Sequence, residues 1–114
     1  LFLRNDWEAN VQMTKNEKRE HSDVLYQAIL TLRDLDECKK FFSDLCTVAE
    51  LRAMEQRFEV AMLLSDGMIY NDILERTGAS SATISRVNRS LQYGADGYQA
   101  VLPRIKEQMD QHGV

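Results

Sequence analysis

A glycine between two helix-like patterns is the feature that most constrains the fold of this chain. The segment from Ile73 to Leu91 reads ILERTGASSATISRVNRSL, and Gly78 separates the apolar positions Ile73 and Ile84. Glycine adopts a positive φ without a steric penalty, so Gly78 can end one helix abruptly. Ser80 follows with a hydroxyl that can accept from the free amides of a second helix. The spacing therefore predicts two helices joined by a tight turn.

The second helix of this pair has one apolar stripe and one polar face. Ile84, Val87 and Leu91 recur at i, i+3 and i+7, the spacing of one face of an α-helix. The other positions are short and polar or carry an arginine: Ser81, Ala82, Ser85, Arg86, Asn88 and Arg89. Small side chains let a helix approach a groove closely, and arginine contacts phosphates or guanine. The pattern predicts a DNA-binding helix-turn-helix. An ordinary hairpin inside a helical core is the alternative.

The composition places the chain among single globular domains. It has 114 residues, 44% of them hydrophobic and 28% charged, which is far from the disordered class. One proline and five glycines favour long helices over a turn-rich β architecture. No apolar run approaches the roughly 20 residues that span a bilayer, and the apolar start ends at Arg4, before a secretory signal could form. We therefore expect a cytoplasmic protein without a membrane partner.

Charge is distributed unevenly along the chain. The net charge of −4 opposes indiscriminate binding to nucleic acid, because overall attraction to phosphate is absent. From Ala79 to Ala95, however, there are two arginines and no acidic residue. A locally basic surface on an acidic protein favours a discriminating binder over a coating protein.

Neither metal binding nor catalysis is indicated. Cys38 and Cys46 lie eight residues apart without the paired spacing of a zinc site, so we interpret both as small apolar residues. The two histidines, His21 and His112, lie in the terminal regions. No nucleophile, carboxylate pair or glycine-rich phosphate loop has a plausible arrangement. We expect no catalytic residue, no metal and no cofactor.

The periodicity predicts about six helices. They run from Ser22 to about Arg33, from Asp34 through Leu45, from Thr47 to Gly67, from Tyr70 to Arg76, from Ser81 to Leu91, and from about Asp96 onward with a kink or restart at Pro103. Capping boxes are predicted at Asp34–Glu37 and Thr47–Glu50. Residues 1–21 are predicted to be an arm, 22–102 the helix-turn-helix domain, and 103–114 the tail or end of the last helix.

The apolar faces of these helices are broad for so short a chain. The helices that contain the FF and MLL sequences carry more apolar surface than one small bundle hides easily. Large apolar patches need a partner. The sequence therefore predicts a homodimer that shares a core, with a looser monomer as the alternative.

Two runs in this chain resemble a known family. TGASSATISRVNRSLQYG, together with the preceding LRDLDECKKFFSDLCT, is similar to the Trp-repressor superfamily and, within it, to the YerC/YecD branch. The similarity covers about residues 22–102. It implies an all-α, intertwined homodimer whose two helix-turn-helix units face successive major grooves of double-stranded DNA, about one turn apart.

The resemblance also implies an effector pocket, but one of altered shape. In tryptophan-sensing members two arginines sandwich the indole ring of the corepressor, and Arg57 and Arg86 fall at the matching positions. The glycine that follows the second arginine in those members is Val87 here, whereas the serine three positions later is kept as Ser90. A β-branched side chain occupies space that a flat ring needs. We expect that any small-molecule effector is not tryptophan.

The predicted DNA-binding residues lie on both helices of the pair: Asn71, Ser80, Ser81, Ala82, Thr83, Ser85, Arg86 and Arg89. Asn71 and Leu74 occupy positions where the resemblance implies basic residues that touch DNA, and Leu74 cannot make such a contact. Arg86 has three alternative roles, as a phosphate contact, as an effector ligand, or in an ion pair with Glu55 or Glu59.

These features predict a sequence-specific, homodimeric DNA-binding transcriptional regulator with an unknown effector. The alternative is a helical protein-interaction module that keeps the fold without specific DNA binding. The acidic net charge and Leu74 support that alternative.

Overall fold

Residues 23–112, which the computed structural model describes, form six α-helices and contain no β-strand. The helices are α1 (Asp23–Leu30), α2 (Leu35–Leu45), α3 (Val48–Ser65), α4 (Tyr70–Thr77), α5 (Ser81–Tyr93) and α6 (Gly97–His112). The all-α prediction is confirmed. The helices fall into two compact units, one containing α1 and α2 and the other, from Cys46 onward, containing α3 to α6. The predicted arm, residues 1–21, lies outside the described residues.

The first unit differs from its prediction at two helix ends. The helix predicted to reach Arg33 ends at Leu30, because the amides of Thr31 and Leu32 donate to carbonyls only three residues back and tighten the last turn. At the start of α2, the Glu37 amide donates to Asp34 Oδ1 at 2.8 Å. The Glu37 carboxylate accepts from the Arg33 amide at 3.2 Å, so the second half of the predicted capping box is displaced by one residue.

Neither helix of the first unit contains a buried residue. Phe41 and Phe42 contact each other edge to face with ring centroids 5.5 Å apart, and both are half-buried. Leu30 is 83% exposed and Leu35 is 70% exposed. Within a single chain, the unit therefore leaves much of its apolar surface in water.

The capping box at the start of α3 forms as predicted. The Glu50 amide donates to Thr47 Oγ1 at 3.1 Å, and the Thr47 amide donates to Glu50 Oε1 at 2.8 Å. Two amides of the first turn thereby gain acceptors. The hydrogen bonds from the Thr47 backbone and then from its side chain lower the pKa of Glu50 from 4.5.

This lowered pKa predicts a pH-dependent contribution to stability. A carboxylate with a depressed pKa in the folded state stabilises that state above its unfolded pKa, and the contribution is lost as the pH falls through the folded pKa. We expect Glu50→Gln to lower the free energy of unfolding more at pH 7 than at pH 3, as measured by urea titrations. Glu55→Gln, on the same helix but outside the box, is the control. A difference in the free energy of unfolding between variant and wild type that is the same at both pH values would contradict the prediction.

The core of the second unit is small and joins all four of its helices. The fully or nearly buried apolar residues are Val60, Ala61, Ile73, Ala79, Ile84, Val87 and Leu102. Nine partly buried hydrophobic residues pack around them. Because α5 contributes Ile84 and Val87, its apolar stripe lies against α3 and α4, and its opposite face is left to solvent.

The last helix is continuous through Pro103. The predicted kink or restart there is not seen, since α6 runs from Gly97 to His112 with Pro103 inside it. A proline removes one backbone donor, and the helix tolerates this loss while Leu102 remains in the core. Lys106 also ties α6 to the end of α3, because its Nζ lies 2.7 Å from Asp66 Oδ1 and 2.8 Å from Ser65 Oγ.

None of the helices within residues 23–112 is long and apolar enough to cross a membrane.

Candidate nucleic-acid interface

The turn between α4 and α5 has the predicted left-handed glycine. Gly78 has φ +71°, and its amide donates to the Leu74 carbonyl at 3.0 Å, which closes α4. A Cβ at this position would meet no atom within 4 Å. Glycine is therefore favoured by the backbone conformation and not by lack of space. α5 begins at Ser81, after a connection of three residues.

Two side chains that the sequence analysis did not single out hold this turn. The Thr77 hydroxyl donates to the Ile73 carbonyl at 2.7 Å and accepts from the Ala79 amide at 3.1 Å. Gln56 reaches across from α3 and donates to the Thr77 carbonyl at 3.2 Å. A threonine before a helix-ending glycine is a local signal for the first contact. The contact of Gln56 spans 21 residues, and no local signal indicates it.

The start of α5 is capped as predicted, and the cap engages both functions of the Ser80 hydroxyl. The Thr83 amide donates to Ser80 Oγ at 3.1 Å, and Ser80 donates to Thr83 Oγ1 at 3.0 Å. No acidic residue lies in the first turn of α5. The partial positive charge of the helix N-terminus is therefore not neutralised by its own sequence.

The exposed face of α5 carries most of the predicted DNA-binding residues. Ser81, Ala82, Ser85, Arg86 and Arg89 are exposed, as is Asn71 near the start of α4, whereas Thr83 is half-buried. The burial of Ile84 and Val87 determines this orientation, since one side of α5 cannot turn outward without emptying the core. The structure thus gathers hydroxyls and two cations on one outward surface.

Arg86 forms no ion pair with Glu55, Glu59 or any other carboxylate of residues 23–112, where the pairs are Lys40–Asp36 and Lys106–Asp66. Arg89 likewise pairs with no described carboxylate. Within residues 23–112, no carboxylate neutralises either guanidinium group. The ion pair between α3 and α5, one of the three alternative roles of Arg86, is therefore absent among the described residues.

Leu74 faces the protein interior. Its side chain is half-buried and packs against the core of the second unit. Leucine is stabilised by this apolar contact and has no polar group that could contact DNA.

The four predicted effector-pocket residues differ in their exposure in the single chain. Arg57 and Arg86 are exposed, and Val87 is buried at 2% exposure within the core. Ser90 lines a pocket beside Phe58 and Tyr98, and neither arginine lines that pocket. Among the described residues, no group of three or more His, Cys, Asp and Glu side chains is arranged to hold a metal ion.

Comparison with known proteins relates this arrangement to a family. Residues 20–106 match the family described as Trp repressor protein. The uncharacterised protein YerC of Bacillus subtilis (strain 168) is 53% identical over 85 residues, which are 75% of this chain and 82% of YerC. A solved structure of a candidate Trp repressor from Staphylococcus aureus is 46% identical with a TM-score of 0.74, over 82% of this chain and 96% of that one. A TrpR-like protein from Eubacterium eligens ATCC 27750 is 53% identical with a TM-score of 0.75, over the same shares. The resemblance read from the two sequence runs is thereby confirmed, and the chain belongs to the Trp repressor family.

Proposed function

We propose that this chain is a sequence-specific DNA-binding transcriptional regulator that acts as a homodimer and reads DNA with α5. The observation that carries the proposal is the outward face of α5, where Arg86 and Arg89 lie among small polar residues and pair with no described carboxylate. Two cations that no carboxylate of residues 23–112 neutralises, on an acidic protein, are suited to a polyanion. Family membership supports the same reading.

Two groups of α5 residues contact different parts of the DNA. Ser81, Ala82 and Ser85 lie in the first two turns of α5, the part of a recognition helix that meets base edges. Arg86 and Arg89 fix the helix on the phosphate backbone. Short hydroxyls reach few bases directly, so much of the discrimination comes from bridging water and DNA shape.

The first helix of the pair has a supporting role. A first helix crosses the DNA backbone in this motif, and Asn71 is exposed in the first turn of α4, where its amide reaches a phosphate or a base edge. Leu74 adds no DNA contact from its half-buried position.

The apolar surface that a single chain leaves in water supports the proposed homodimer. α1 and α2 bury none of their residues, and three of their leucines are at least 49% exposed. Surface of this extent is stabilised by a second copy. In a two-fold dimer, two recognition helices contact half-sites about 10–10.5 base pairs apart.

The test is selection of bound duplexes from a random DNA pool at about 150 mM salt, where nonspecific contacts are weak. We expect enrichment of a palindrome whose half-sites are about one turn apart. Sedimentation of the same sample should give a particle of twice the 13.2 kDa chain mass. A dimer that enriches no sequence, with or without added amino acids, would overturn the proposal. That result would favour the protein-interaction module. The net charge of −4 and the inward side chain of Leu74 support this alternative.

A further inference from the structure

A hydrogen bond joins the long helix α3 to the turn between α4 and α5. Gln56 Nε2 donates to the Thr77 carbonyl oxygen at 3.2 Å, across 21 residues of sequence, and both residues are half-buried. Val60, one helical turn further along α3, is completely buried in the core. Gln56 and Val60 therefore lie on the same side of α3, the side that packs against the helix pair.

The acceptor of this bond lies at the end of α4. The last four carbonyls of an α-helix have no partner within the helix, and Thr77 is the last residue of α4. The Leu74 carbonyl accepts from the Gly78 amide, whereas the Thr77 carbonyl accepts from Gln56 on another helix. A side chain of α3 thus satisfies a backbone group at the turn.

The Thr77 side chain extends this connection across the turn. Its hydroxyl bonds both the Ile73 carbonyl and the Ala79 amide. Ile73 and Ala79 are buried, and α5 begins two residues after Ala79. Gln56 is therefore connected to the last turn of α4 and, through Thr77, to the segment that leads into α5.

We propose that Gln56 is a positioning residue for DNA recognition, which holds the start of α5 in the orientation where its first two turns meet the bases. The inference rests on the proposed function, and Gln56 acts through the turn and not by contact with DNA. Recognition side chains must lie within about 0.5 Å of their productive position, and hydrogen bonds from supporting residues provide this precision. Phosphate contacts carry no sequence information, so loss of Gln56 should affect discrimination more than general attraction to DNA.

The size of the effect follows from the strength of one hydrogen bond. A hydrogen bond of this kind favours the fixed turn by a factor of about three to ten. The affinity for DNA falls by the factor by which the competent orientation of α5 is depleted. Loss of the bond therefore weakens recognition by no more than this factor.

Gln56→Met tests the inference, because methionine has a similar length and no charge but donates no hydrogen bond. We expect the affinity for the selected duplex to fall about threefold to tenfold, whereas the affinity for a scrambled duplex changes less than about twofold. The slope of log affinity against log salt should equal that of the wild type, because the phosphate contacts remain. Destabilisation of the whole domain would instead lower both affinities together, since it removes active protein.

Gln99→Met is the matched control. Gln99 Nε2 donates to the Leu91 carbonyl at 2.6 Å, so this variant removes the same kind of bond at the C-terminal end of α5. It should change the affinity for either duplex by less than about twofold, since Gln99 is exposed and water can replace its bond.

Thr77→Val and Thr77→Ser form a second matched pair. Valine keeps the branched shape but removes the hydroxyl that bonds both sides of the turn, whereas serine keeps the hydroxyl. Thr77→Val should therefore lose discrimination between the selected and the scrambled duplex, as Gln56→Met does. Thr77→Ser should retain it.

Hydrogen exchange without DNA tests the turn separately from the proposed function. In NMR measurements on the purified full chain, Gln56→Met should speed exchange of the Gly78 and Ala79 amides about threefold to tenfold, and more than exchange of the Val60 amide. If the wild type selects no DNA sequence, the proposed function fails, and this measurement still decides whether Gln56 holds the turn.

Three results would overturn the inference. These are unchanged exchange at Gly78 and Ala79, wild-type affinity of Gln56→Met for the selected duplex, or equal losses for the selected and the scrambled duplex. Circular dichroism shows whether each variant is folded. If Gln56→Met is not, the two threonine variants decide by the same comparison of duplexes.

Discussion

Ile84→Ala is expected to lower the free energy of unfolding by about 2–5 kcal/mol, the largest effect of any substitution considered for the helix pair. Ile84 has no exposed surface and lies in the core that joins α5 to the rest of its unit. Truncation removes buried methyl and methylene groups and leaves a cavity that the neighbouring Ile73 and Val87 fill only in part. With seven buried residues in this core, there is little other packing to compensate.

Chemical unfolding at one fixed protein concentration measures this effect, because the stability of a dimer depends on concentration. Ser85→Ala, at the next residue along α5 and exposed, is the matched control and should change stability by less than about 0.5 kcal/mol. Equal effects of the two substitutions would show that α5 does not pack through Ile84.

The helix pair was the most predictable part of the fold, because its signals are local. A positive φ at Gly78, the Ser80 cap and the burial of Ile84 and Val87 each depend on residues within one or two turns of each other. The capping box at Thr47 belongs to the same class. Its hydrogen bonds join residues three apart, and a short motif is enough to indicate them.

The composition of the core was less predictable, because it depends on how helices pack. Val60 and Leu102 are almost completely buried although the sequence analysis singled out neither. Apolar residues cover much of the surface of α3, so the sequence does not show which side is buried. Contacts with α4, α5 and α6 bury the side that contains Val60 and Ala61. The kink or restart predicted at Pro103 was wrong for a related reason. Packing of Leu102 in the core retains a helix that local propensity would interrupt.

The candidate interface combines both kinds of information. Its residue types and their outward orientation followed from the pattern of α5 alone. Three other features depend on residues distant in sequence. They are the hydrogen bond from Gln56 to the turn, the inward side chain of Leu74, and the lack of a partner for Arg86 among the described carboxylates. Only the folded chain shows whether an arginine is already neutralised, and that decides what it can bind.

Arg89→Ala is expected to weaken DNA binding for all sequences by about tenfold and to reduce the slope of log affinity against log salt by about one unit. Arg89 is exposed on the polar face of α5, so its loss removes a phosphate contact and leaves the core intact. A phosphate contact carries no sequence information, so the preferred operator should stay the same. The double variant with Arg86→Ala should reduce both affinity and slope further, by a similar step.

Arg57→Ala provides the matched control, since it removes one exposed arginine from α3 and leaves α5 unchanged. Its slope should equal that of the wild type. Fluorescence anisotropy with the selected duplex, measured between about 50 and 200 mM salt, gives the slopes directly. Over this range phosphate contacts dominate the change in affinity. An unchanged slope for Arg89→Ala would exclude this arginine from the phosphate backbone. Equal losses for Arg57→Ala and Arg89→Ala would mean that general charge, and not the outward face of α5, attracts the DNA.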